Sequence, residues 1–61
     1  MFNVNELRGI LPSGMFIDIR KENDEQLCYS TSPTIIPYQY RDKEVSSVEQ
    51  KDDTIVIHIK D

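Results

Sequence analysis

His58 is the single histidine of this 61-residue chain and Cys28 its single cysteine. An imidazole can act as general base or metal ligand because it exchanges its proton near neutral pH. A zinc site, however, gathers Cys, His and carboxylate ligands at recognisable spacings. On its predicted strand face His58 has only Val56 and Lys60 beside it. It therefore reads as a surface or interface histidine. Cys28 would need a neighbouring base to become a nucleophile. Between Leu27 and Tyr29 in a predicted strand it reads instead as a small packing residue. Asp24/Glu25 and Asp52/Asp53 fall in predicted turns, where solvated carboxylates are common, and neither pair matches a calcium loop. Gly9 and Gly14 do not form a phosphate loop. No catalytic residue, metal site or cofactor is expected, and the chain reads as a non-enzyme.

Binding is the chemistry that the residues favour. Tyr29, Tyr38, Tyr40 and Arg41 belong to the types enriched at interface hot spots, because each joins a large contact area to a polar end. Tyr38, Tyr40 and Arg41 are the candidate partner-binding residues. The competing use of a tyrosine is to close the open end of a small core. Arg20, Lys21, Arg41 and Lys43 offer a second possibility, a small-anion or nucleotide sponge at a subunit interface.

These residues need elements to hold them. Val4, Leu7 and Leu11, with Ile10 beside them, predict a short amphipathic helix. Asn3 or Asn5 would cap it, and Pro12-Ser13-Gly14 would end it. From Met15 the period becomes two: Met15, Ile17 and Ile19 share a face opposite Phe16, Asp18 and Arg20. A polar turn at 22–25 leads to a second strand from Gln26 to Thr31, with Leu27 and Tyr29 in phase. Pro37 can start one helical turn through Asp42. Val45 to Gln50 reads as a third strand if a bulge at Ser46-Ser47 repairs its phase. Thr54 to Lys60 is the clearest strand, with Ile55, Ile57 and Ile59 opposite Val56 and His58. The expected fold is α+β in a single domain, residues 1–61: a short N-terminal helix on a small antiparallel sheet of two hairpins. Its expected core is Leu7, Leu11, Ile17, Ile19, Leu27, Ile55, Ile57 and Ile59.

Composition agrees. The chain has no alanine, and a quarter of its residues are Ile, Val or Thr, which favours strands. Eleven acidic residues against seven basic ones give a net charge of −4, which argues against direct nucleic-acid binding. No apolar run is long enough to span a membrane, and Asn3, Asn5 and Glu6 stand where a secretory leader would be basic and then apolar. An unpaired cysteine suits a reducing compartment. The expected location is therefore cytoplasmic. So small a core commonly needs association. Because the last strand is apolar on both faces and would have a free edge, a homodimer is expected, with Val56 and His58 at the joint.

The pattern Ile36-Pro37 through Tyr40, then Asp42-Lys43-Glu44-Val45-Ser46-Ser47-Val48 and Asp52-Asp53-Thr54-Ile55-Val56-Ile57, resembles that of very short acidic accessory proteins of tailed bacteriophages and prophages. These include anti-CRISPR proteins and other anti-defence inhibitors. The similarity spans roughly residues 36–59 and is one of style, so it carries no site residues. It implies a non-catalytic binder that inhibits or modulates a bacterial host protein. Structural membership of a phage or host complex is the alternative.

Overall fold

The computed structural model describes residues 2–12, 14–31 and 36–60. The elements run α1 (Val4–Arg8), β1 (Phe16–Lys21), β2 (Gln26–Ser30), α2 (Tyr38–Arg41), β3 (Val45–Lys51) and β4 (Thr54–Ile59). Asn3 caps α1 in a reciprocal box: its Oδ1 accepts from the Glu6 N–H at 2.9 Å, and Glu6 Oε1 accepts from the Asn3 N–H at 3.2 Å. The helix closes at Gly9, earlier than the expected stop at Pro12-Ser13-Gly14, of which Ser13 lies outside the described residues. The early stop leaves Ile10 72% exposed, so it does not join the apolar stripe.

Both expected hairpins form, but the sheet is mixed. Its order is β2-β1-β4-β3, with β1 and β4 parallel in the middle. The expectation of an all-antiparallel sheet is corrected at that joint. A strand apolar on both faces belongs inside a sheet, and β4 takes that place beside β1. The edges are β2 and β3, so β4 has no free edge for a second copy.

Ile17, Ile19, Ile55, Ile57 and Ile59 point to one face and are covered by Val4 and Leu7 of α1 and by Ile36. Leu11 and Leu27, expected in the core, are half-buried against it. Ile36 was not expected there; an irregular segment has no periodicity to betray a buried residue. Two bulges set the phases. Ser46 lies between the pairs Val45–Ile59 and Ser47–His58, as its spacing requires. Leu27 has no opposite residue, because Ile19 pairs with Cys28 and Arg20 with Gln26. That second bulge turns Tyr29 to the face opposite the core, against the expected phase.

Residues 2–4 run antiparallel to 43–45. The Val45 N–H donates to Phe2 O at 2.8 Å and the Val4 N–H to Lys43 O at 3.0 Å. No helix among the described residues is long and apolar enough to cross a membrane.

Candidate functional site

Two surfaces gather the side chains capable of recognition. The first is the sheet face opposite the core. There the parallel joint sets Phe16 beside Thr54, Asp18 beside Val56 and Arg20 beside His58. Arg20 Nε donates to Asp18 Oδ2 at 3.0 Å, and Gln26 Nε2 donates to Asp18 Oδ1 at 3.0 Å. Asp18 is thereby satisfied although buried. Arg20 Nη1 also reaches Asp24, at 3.1 Å from its carbonyl and 3.3 Å from its carboxylate. The Asp18 hydrogen bond, with Asp24 nearby, raises the pKa of Arg20 further.

Asp24 adopts φ 75° in the β1–β2 turn, a conformation that aspartate tolerates better than most side chains. Its Oδ1 lies 2.8 Å from His58 Nε2, while His58 Nδ1 lies 3.4 Å from Ser47 Oγ. A carboxylate only accepts, so Nε2 carries the hydrogen. In the neutral ring Nδ1 is then free to accept from the Ser47 hydroxyl. The hydrogen bond from His58, helped by the charge of Arg20, holds the Asp24 carboxyl below its usual pKa.

This carboxylate–imidazole–hydroxyl chain has the connectivity of an activated serine. Its geometry suits a clasp better. The hydroxyl contact is long, Ser47 is exposed on an edge strand, and the chain ties the β1–β2 turn across β4 to β3. A depression of about 350 Å³ lies beside it, lined by Asp18, Arg20, Glu49, Lys51 and His58 among others. At one end of this face the Tyr29 ring stacks on Phe16 with centroids 6.0 Å apart.

A carboxyl with a depressed folded pKa adds stability above its unfolded value, near about pH 4, and loses it as pH falls through the lower folded value. Chemical denaturation of Asp24→Asn between about pH 5 and pH 2 should therefore show a smaller acid-induced loss than the parent. An equal or larger loss would mean that Asp24 is not held by His58.

The second surface is α2. Pro37, with φ −58°, precedes the single turn, as its ring geometry favours. In a helix, residues two apart point to nearly opposite sides, whereas residues three apart are neighbours. Tyr38 and Tyr40 therefore part company. The Tyr40 hydroxyl turns inward and donates to Leu27 O at 3.4 Å, so this ring closes the end of the core. Tyr38 is 83% exposed beneath Arg41, whose guanidinium carbon stands 4.1 Å from the ring centroid. Arg41 Nε donates to Ile36 O at 2.8 Å, which fixes the guanidinium over the ring. Asn3, Asn5 and Asp42 complete a shallow groove with this pair.

Of the expected partner-binding residues, Tyr38 and Arg41 thus share a surface and Tyr40 does not. The four cations of the sponge reading are not convened within one chain: Arg20 lies in the sheet-face network and Arg41 in the α2 groove. The two residues expected at a dimer joint are occupied internally. Val56 is 6% exposed within a single chain, and His58 is held by Asp24 and Ser47. The clasp itself escaped the sequence reading. Its only trace was that Asp18, Arg20 and His58 all fall on the polar phase of apolar strands, and the parallel joint was needed to bring them together. Among the described residues no cluster of three or more His, Cys, Asp or Glu could hold a metal ion. In comparisons with known proteins the chain matches no family model, no curated protein and no solved structure.

Proposed function

We propose that this protein is a non-catalytic binding module, of the phage accessory type, that inhibits or modulates a bacterial host protein in the cytoplasm. The observation that carries the reading is the Tyr38–Arg41 pair. An exposed aromatic ring with a guanidinium already stacked on it and anchored to the backbone pays little ordering entropy on binding. Tyrosine and arginine are also the types that dominate interface energetics. The net charge of −4 would steer the module toward a basic surface on its target.

The test is affinity capture from bacterial lysate with the parent protein and with Tyr38→Ala and Arg41→Ala. Loss of a hot-spot residue costs about 2 kcal/mol, or roughly thirtyfold in affinity. Each substitution should deplete the same captured partner by about that factor while the circular dichroism spectrum is unchanged. Undiminished capture by both folded variants would refute the assignment of this surface.

A further inference from the structure

In the groove of Asn3, Asn5, Tyr38, Arg41 and Asp42 most hydrogen-bond acceptors are already used, and the donors are not. Asn3 Oδ1 accepts from the Glu6 N–H at 2.9 Å. Asn5 Oδ1 accepts from Arg8 Nε and Nη2 at 3.2 and 3.0 Å. A backbone N–H and a guanidinium can only donate, so the orientation of both amides is fixed. What each asparagine still offers is its NH2 group. Arg41 gives Nε to Ile36 O at 2.8 Å, while Nη1 and Nη2 have no hydrogen-bond partner among the described residues. Two amide NH2 groups and the forked end of a guanidinium call for a ligand that accepts.

Charge narrows the class. Arg20 and Lys60 are ion-paired, whereas neither Arg41 nor Arg8 has a carboxylate in ion-pair range among the described residues. Glu6 is turned back onto the Asn3 N–H. Asp42 is the one carboxylate lining the groove, and it is exposed and makes no ion pair with Arg41. A dianion such as phosphate would meet that charge with only one stacked guanidinium to offset it. A carboxylate brings one charge and two oxygens, which match the single fork of Arg41.

We propose that the groove receives an aspartate or glutamate side chain of the target protein, held by Arg41 and flanked by the amides of Asn3 and Asn5. The proposal rests on Tyr38 and Arg41 being the partner-binding pair, and it adds the group they take. It also gives an acidic chain a means of selection. A target surface that is basic throughout would set a like charge against Arg41. One that carries a carboxylate in register satisfies both the steering field and the groove.

The probe is N-acetyl-glutamate N-methylamide, titrated into isotope-labelled protein at constant ionic strength and followed by NMR. Its glutamine and lysine counterparts supply a neutral acceptor and a cation of similar size. The side-chain amide signals of Asn3 and Asn5 and the Arg41 Nε–H signal should shift saturably with the glutamate compound. The Kd should be millimolar, since a partly exposed ion pair is weak. The other two compounds should bind at least about tenfold more weakly. Arg41→Lys keeps the charge but loses the fork, and should weaken glutamate binding at least about fivefold. Asp42→Asn removes a like charge and should tighten it about threefold, whereas a cation site would respond in the opposite direction. Equal shifts with all three compounds, no saturation with glutamate, or weaker binding by a folded Asp42→Asn variant would overturn the carboxylate assignment. If lysate capture still depends on Tyr38 and Arg41 in that event, the surface remains the partner site and only its ligand is wrong. Conversely, capture that ignores both residues would overturn the assignment to the target, even with the glutamate compound bound.

Discussion

Ile57→Ala is expected to cost about 2–5 kcal/mol, because it deletes a fully buried branched side chain from the strand at the middle of the sheet. A domain of this length has only about 3–9 kcal/mol to lose. Much of the population should therefore be unfolded at room temperature, with the remainder melting well below the parent. Ile10→Ala is the matched control. Its side chain is 72% exposed, so the change should stay within about 0.5 kcal/mol. Urea denaturation of the two variants decides the matter, and comparable losses would show that the core is misplaced. Hydrogen exchange should agree, with the amides of β1 and β4 protected longest because both strands are paired on both sides.

Val56→Asp is the second large effect. Val56 is buried on the face opposite the core, with Asp18 across the parallel joint and Glu49 across the antiparallel one. A new carboxylate there would be desolvated between two others, a situation that costs about 3–5 kcal/mol when no partner compensates it. Val56→Asn has the same shape without the charge and should cost clearly less. Burial and its neighbours would raise the folded pKa of the new carboxyl above its unfolded value. The gap between the two variants should therefore be small near pH 4 and widen as pH rises through the raised value. Thermal melts of both across that range provide the check. A well-folded Val56→Asp protein at neutral pH would mean that this side chain is not packed by its own chain.

What was legible in the sequence was local. The alternation of Ile17 and Ile19, and of Ile55, Ile57 and Ile59, marks the two central strands because a two-residue period survives any choice of neighbour. The bulge at Ser46 could be inferred because Val45 and Val48 cannot share a face without it. The bulge at Leu27 could not, since Leu27 and Tyr29 already look in phase. Which strand of one hairpin meets which strand of the other depends on a long-range choice that no spacing encodes. With that choice unresolved, the sequence leaves β4 a free edge, whereas the structure pairs it on both sides and buries Val56 within its own chain. The α2 surface was half legible. The residues Tyr38 and Arg41 stood out by type, but only helical geometry separates Tyr38 from Tyr40.

The parallel joint also shapes how the molecule is made. β1 and β4 touch along their whole length, yet β2, α2 and β3 all lie between them in sequence. In chain order β1 is complete before its main neighbour is made, and until then Ile17 and Ile19 have only the bulged β2 beside them in the sheet and α1 to cover them. The hairpins can close locally within microseconds, but the shared core must wait for the last strand to be released. A nascent chain that stops before Thr54 thus presents an unfinished apolar face to the cell's chaperones and proteases. The shared core closes only once β4 is available to β1.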